Sequence, residues 1–254
     1  MSVLRARCPD CRTLTAVALD DEYQCHSCGR EFAAGLVRVP RAWGAGGETM
    51  AAAAWIRLPY PEAAVVEEAT LEAQVAVQQR SLPARPLVLG GCCCAHLGAI
   101  SGLAARRGRL GVVWVDAHGD LNTPASSPSG NAWGMPLRRA IETGAVRPTD
   151  VALVGARSLD PPEAAYVTAA GIAEDAERAL DGCDRAYVAF DCDVLRPGEV
   201  GVFMPEPGGP TLEEAEELLR RLAALRPLAG LGLTGLREDA DPAVLVRLAA
   251  AAGL

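Results

Sequence analysis

A chain of 254 residues, 50% hydrophobic and 22% charged, has room for one large α/β domain and a small appendage, and this balance excludes extensive disorder. A formal net charge of −8 and a pI near 5.0 argue against phosphate-backbone binding as the main business. No apolar run reaches the length of a membrane span, because the Ala-rich stretch near Ala64 is broken by Glu67, Glu68 and Glu72. Arg5 and Arg7 lead straight into cysteines with no secretory core, so the nine cysteines are expected in a reducing cytoplasm, binding metal rather than pairing.

Residues 1–35 read as a unit of their own. Cys8-Pro9-Asp10-Cys11 and Cys25-His26-Ser27-Cys28 are two Cys-x-x-Cys knuckles, and two knuckles complete a closed tetrahedral site for a structural Zn2+. His26 reads as a surface residue of its knuckle. The unit resembles a zinc ribbon; Asp10, Asp20, Asp21, Glu22 and Glu31 offset its arginines, which favours a structural or interaction role over nucleic-acid binding. Residues 36–53, with Pro40, Gly44, Gly46 and Gly47, read as a linker, and residues 54–254 as the main domain. A first strand is expected over 54–58, stopped by Pro59 and Pro61. Residues 62–79 fit a helix loosely. Leu87-Val88-Leu89 reads as a second strand, punctuated by Gly90-Gly91. Cys92-Cys93-Cys94-Ala95-His96 then opens a helix running to about Arg107. Three consecutive cysteines cannot share one helix face, but Cys93 and His96 are one turn apart. Either they meet a metal, Cys93 ahead of His96, or the cysteines are small apolar packing.

The centre of the chain is Val112-Val113-Trp114-Val115-Asp116-Ala117-His118-Gly119-Asp120, an apolar run ending in Asp-x-His-x-Asp. Such runs read as buried parallel strands, and open α/β sheets place their sites at the carboxyl ends. The logic repeats at Tyr187-Val188-Ala189-Phe190-Asp191-Cys192-Asp193. Two strands ending in paired acids, one with a histidine, can hold two divalent cations. Between them, residues 120–136 form a polar, interrupted loop of the kind that lines a substrate pocket. A helix starts near Met135, and strands are expected over 151–154, 186–191 and 228–234. Thr211 with Glu214 forms a capping box, and a closing helix spans 242 to about 251. Strands alternating with helices, without hairpin signals, predict a mostly parallel sheet covered on both faces.

Asp116-Ala117-His118-Gly119-Asp120-Leu121-Asn122-Thr123-Pro124, followed by Ser129-Gly130-Asn131 and Gly134-Met135-Pro136, resembles the arginase/agmatinase (ureohydrolase) superfamily. Phe190-Asp191-Cys192-Asp193-Val194-Leu195-Arg196-Pro197 and Pro207-Gly208-Gly209-Pro210-Thr211 resemble its second metal motif and Gly-Gly-Leu-Thr loop. Gly90-Gly91 matches the strand end before its first metal histidine, and Arg157 with Asp160-Pro161 echoes its Arg-Asp-x-Asp-Pro turn. The resemblance covers roughly residues 84–245 and implies a three-layer αβα fold with two Mn2+ ions bridged by hydroxide. It implies hydrolysis of a guanidine, amidine or related C–N bond in a small-molecule substrate, by a homo-oligomer. Asp116 and Asp191 would bridge the metals, His118 and Asp193 complete one site, and Asp120 complete the other. Asp120 would also pass a proton to the leaving amine, beside His118 as the second catalytic candidate. Asn122, Ser129, Asn131, Trp133 and Asp160 would face the substrate.

Three positions depart from that pattern. Cys93 stands where the family has its first metal histidine, and a thiolate there shifts preference from Mn2+ toward Zn2+ or Fe2+. Trp133 replaces a histidine and puts a flat apolar wall at the pocket mouth. Gly235 or Leu236 stands where a glutamate would clamp a guanidinium, with Glu238 and Asp239 displaced, which makes arginine itself a doubtful substrate. The alternative to an enzyme is a non-catalytic scaffold or regulator acting through the ribbon.

Overall fold

The computed structural model describes residues 5–6, 8, 11, 13, 15–19, 22–32 and 34–254. Arg7, Asp10, Asp20 and Asp21, whose charges entered the reading of the amino-terminal unit, lie outside the described residues.

Four short strands form an antiparallel sheet at the amino end: β1 (Arg5–Ala6), β2 (Ala16–Leu19), β3 (Glu22–Cys25) and β4 (Glu31–Phe32). Their small core is Cys8, Ala16 and Cys25, with Cys11 and Tyr23 packed against it. Cys8, Cys11, Cys25 and Cys28 converge there, with Cys8 and Cys28 sulfurs 3.6 Å apart and those of Cys11 and Cys25 3.5 Å apart.

The main sheet has seven strands: β5 (Ala34–Val39), β6 (Glu62–Val65), β7 (Arg85–Gly90), β8 (Leu110–Val115), β9 (Val151–Val154), β10 (Arg185–Asp191) and β11 (Leu228–Thr234). Every pairing is parallel, in the order β6-β5-β7-β11-β10-β8-β9. The helices are α1 (Glu48–Ala53), α2 (Leu71–Arg80), α3 (Ala95–Ala104), α4 (Pro136–Glu142), α5 (Pro161–Ala170), α6 (Ala176–Ala179), α7 (Leu212–Leu225) and α8 (Pro242–Ala251).

Period-two alternation divides the core into two layers. Leu36, Leu87, Leu89, Val113, Val188, Phe190, Leu231 and Leu233 pack with α6, α7 and α8 on one face. Val37, Val88, Val112, Trp114, Tyr187 and Ala189 pack with α2, α3 and α4 on the other. Strands covered on both faces must be apolar along their whole length, which is why β8 reads Leu110-Gly111-Val112-Val113-Trp114-Val115. The fold is thus three-layered, αβα.

The structure corrects the front of the main domain. Residues 54–58 are not a strand; Ala54 caps α1, because a run of alanines with Met50 is helix-forming. The first strand is β5, which together with α1 occupies much of the stretch read as linker. Arg38 hid it: a cation interrupts the run Leu36-Val37-Arg38-Val39. Its guanidinium is buried and satisfied, by Glu62 at 2.5 Å and by the carbonyls of Ala54 and Ile56. Residues 62–65, read as helical, form edge strand β6, whose largely exposed residues lack a sheet-like alternation; the helix begins only after Thr70, whose hydroxyl accepts from Ala73 N. No helix among the described residues is long and apolar enough to cross a membrane.

Candidate metal centre

Strands β7, β11, β10 and β8 are neighbours in the sheet, so whatever follows their carboxyl ends meets in one place. After β8 comes Asp116, β10 ends on Asp191, and β11 ends on Thr234 with Gly235 next. After β7 the chain turns through Gly91 and Cys92 to Cys93 before α3. A cavity of about 330 Å3 opens there, lined by Cys93, Asp116, His118, Asp120, Asp191 and Asp193. All six ligand candidates proposed from the sequence face one space.

Two groups of donor atoms lie within 4.8 Å of one another: Cys93, Asp116 and Asp120 in the first, Asp116, His118 and Asp193 in the second. Asp116 belongs to both. Its Oδ1 accepts from His118 N at 2.7 Å and its Oδ2 from the Trp114 indole at 3.0 Å, which fixes the carboxylate plane. Asp191 is in neither group but accepts a hydrogen bond from a member of each. Its Oδ2 accepts from Cys93 Sγ at 2.8 Å and from Thr234 Oγ1 at 3.2 Å, and its Oδ1 accepts from Asp193 N at 2.9 Å. His118 Nδ1 lies 3.0 Å from Asp193 and 3.4 Å from Asp116.

Asp120 is the strained member. It has φ 52, the one non-glycine residue in the left-handed region among those described, and its Oδ2 is buried without a hydrogen-bond partner. The donors are carboxylate oxygens, one imidazole and one thiol, a set that suits divalent cations and would give that orphaned oxygen a partner.

The electrostatics point the same way. Burial and the Asp191 carboxylate raise Asp116, while burial with Asp116 and Asp191 raises Asp120 well above the ordinary carboxylate range. Burial and Asp193 lift Asp191 to about 7, and burial and Asp116 lift Asp193 to about 6. Burial pulls His118 down, yet Asp116 and Asp193 hold its charged form and the balance raises it to about 12. Like charges crowded in a dry site are relieved by cations.

Of the three consecutive cysteines only Cys93 reaches the cavity's acids. Cys92 Sγ meets Trp43 N and Arg41 O, and Cys94 is buried in the core. His96 is turned away: its ring bridges Tyr187 Oη at 2.9 Å and Thr234 Oγ1 at 3.1 Å, and burial lowers it to about 3, a neutral core histidine.

Asn122, Ser129, Asn131, Trp133 and Asp160 also line the cavity. Two of them hold the loop in shape. Asn122 donates to Asp160 Oδ2 at 2.8 Å and accepts from Ser126 Oγ at 2.9 Å, and Asn131 Oδ1 accepts from Ala45 N at 2.9 Å. Trp133 stands edge-to-face with Phe203, ring centroids 6.0 Å apart, and Met50 and Met204 extend the apolar wall. The position facing the cavity after β11 is Gly235. With φ +70, a Cβ there would fall on Asp191 Oδ1. Leu236 is core, and Glu238 and Asp239 are exposed outside the cavity.

Sequence reasoning missed three contributors. Buried Glu163 accepts from Leu121 N and Asp160 N, and its capping-box spacing from Asp160 was the available signal. Glu206 Oε1 lies 3.4 Å from His118 Nε2, but it sits between two prolines in a loop without periodicity. Phe203, in the same loop, gave no signal either.

The family model for the arginase family matches residues 47–252. The chain is 34% identical to the arginase of Bacillus subtilis (strain 168) over 166 residues, 54% of this chain and 56% of that protein. To the arginase of Bacillus caldovelox it is 34% identical over 189 residues, 62% of this chain and 63% of that one. The matches therefore span less than two thirds of these curated relatives. The solved structure of Bacillus caldovelox arginase superposes with a TM-score of 0.73 at 26% identity, covering 86% of this chain and 97% of that one. Formimidoylglutamase from Bacillus subtilis shares the fold, with a TM-score of 0.69 at 18% identity over 86% of this chain and 85% of that one. On the family match and this geometry, the chain belongs to the arginase family.

Proposed function

We propose that the protein hydrolyses a C–N bond of a guanidine, amidine or related small substrate at a binuclear metal centre. The observation that carries this reading is a pair of donor groups sharing Asp116, with a buried Asp120 oxygen left unpartnered beside them. Cys93, Asp116, Asp120 and Asp191 would hold one divalent cation and Asp116, His118, Asp191 and Asp193 the other, Mn2+ being the family's ion. Such a pair, when bound, supplies hydroxide at neutral pH and countercharge for a developing oxyanion. The Asp120 carboxylate oxygen not engaged by a cation would take the proton of the attacking oxygen and pass it to the departing nitrogen as the C–O bond forms and the C–N bond breaks. Asp193 and Glu206 flank His118 and hold its ring in place. Ser129 and Asn131 contact the substrate's polar end, and Trp133 and Phe203 exclude water from its body.

Without a carboxylate at Gly235 to clamp a guanidinium, L-arginine is a poor substrate and a less basic amidine or guanidine with an apolar body is the better one. The amino-terminal four-cysteine unit ahead of β5 is a structural zinc ribbon, appended to a cytoplasmic, homo-oligomeric hydrolase.

The test combines metal analysis with a screen for urea or ammonia release from guanidines and amidines. The expected result is about two equivalents of metal beyond the ribbon zinc and turnover that Asp116→Ala and Asp191→Ala abolish, a loss on the order of 10^3-fold or more. Ribbon zinc alone, with no turnover, overturns the hydrolase and supports a scaffold; that reading is favoured by Cys93, Trp133 and Gly235 together.

A further inference from the structure

The two halves of the donor cluster are chemically unequal, and the inequality lies in Cys93. The second half is His118 with carboxylates; the first is a thiol with carboxylates. The Cys93 side chain is buried, lines the cavity and brings its sulfur within 4.8 Å of donor oxygens of both Asp116 and Asp120. It donates to Asp191 Oδ2 at 2.8 Å and meets Thr234 Oγ1 at 3.4 Å. Cys92 also lines the cavity but its sulfur meets Trp43 N and Arg41 O, and Cys94 is buried in the core, so of the three only Cys93 brings its sulfur to the acids. Opposite it stands Asp120 Oδ2, buried and unpartnered.

We propose that Cys93 is a thiolate ligand that makes the Cys93–Asp116–Asp120–Asp191 position selective for a thiophilic cation, zinc above manganese, while the His118–Asp193 position stays open to a hard one. The inference deepens the proposed function and rests on its placing of cations in this cavity. Mn2+ is the weakest binder of the first-row divalent series at any N, O or S site, and a soft sulfur donor widens the margin of Zn2+ over Mn2+ beyond what carboxylates alone give. Binding breaks the Cys93 S–H bond and forms a sulfur–metal bond, and the proton leaves to solvent. The Asp191 and Thr234 oxygens around the sulfur keep the side chain pointed at the position before any cation arrives. Asp116, common to both positions, couples two dissimilar cations in one centre.

Cadmium-113 NMR of the full chain, with cadmium as the only metal, reads sulfur ligation directly and needs no turnover. The expected spectrum has an all-thiolate resonance from the amino-terminal cysteines, an oxygen–nitrogen resonance, and a third at intermediate shift from one sulfur among carboxylates. Absence of the intermediate resonance overturns the proposal on the unmodified protein. In Cys93→Ser that resonance moves into the oxygen range while the other two stay; if it does not move, the sulfur belongs to another residue and the proposal is wrong. Cys93→His, equilibrated with equal zinc and manganese, should lower the zinc-to-manganese ratio held by the chain beyond the ribbon by about tenfold; an unchanged ratio counts against it equally. An intermediate resonance without hydrolysis of any guanidine or amidine sinks the hydrolase and leaves the thiolate position standing. Turnover without that resonance does the reverse.

Discussion

Gly235 shows how one residue without a side chain can set both the shape and the limits of a site. Its backbone has φ +70, and any Cβ would collide with the Asp191 carboxylate. Gly235→Ala is therefore expected to cost about 1 kcal/mol from conformation alone and to displace Asp191. A thermal melt should fall and metal content should drop below that of the unmodified chain. Gly235→Glu meets the same collision, so it does not create an arginine hydrolase; brisk urea release from L-arginine by that variant would refute the account. The acids predict a pH dependence too. Asp191 and Asp193, raised to about 7 and about 6, hold protons that the unfolded chain releases near its ordinary carboxylate value. Native stability of the metal-stripped protein is thus fullest near pH 4 and is lost as pH rises toward 7. His118, raised from its ordinary value to about 12, contributes in the same direction, but its share begins to fall only above the ordinary histidine value of about 6.5, so the loss between pH 4 and that point belongs to the acids. The gain in melting temperature on restoring metal should therefore be larger at about pH 7.5 than at about pH 5; equal gains would place the binding elsewhere.

At the scale of elements, the site depends on a loop that no regular structure supports. Arg157 replaces that support: its guanidinium donates to the carbonyls of Gly155, Asp193, Glu206 and Pro207, stitching β9's exit to the segment after β10. Arg157→Ala should loosen that segment, with turnover falling about tenfold or more while the melt moves by only about 1–2 kcal/mol. A proportional loss of stability and activity would instead mark Arg157 as a general fold residue. The legibility of these elements followed their burial. Strands β9 and β11 and helix α8 were readable to the residue, since both-face burial demands unbroken apolar runs and a proline or capping residue marks the helix start. Strand β5 was not, because Arg38 satisfies its charge with partners from distant segments, Glu62 and two carbonyls, that a local pattern cannot reveal. The gathering of these acids around one cavity was legible for the same reason as β8 and β10, since the acids follow the carboxyl ends of those apolar runs. Glu206 and Phe203 were not, because they enter the cavity from an aperiodic loop.

Over the whole molecule, two clusters able to hold a metal ion share one chain: four cysteines gathered by short antiparallel strands, and a mixed cluster at the end of a parallel sheet. Cys11→Ser is expected to remove one equivalent of zinc from the purified protein and to leave hydrolysis per folded molecule unchanged. Loss of both would show that the ribbon supports the catalytic unit. Trp133 has a practical consequence. An indole that meets Phe203 edge-on at the rim is an intrinsic optical probe, since a compound sliding between the rings must alter its emission. Candidate compounds can thus be ranked by a simple fluorescence titration, before a reaction is known and without labelling the protein.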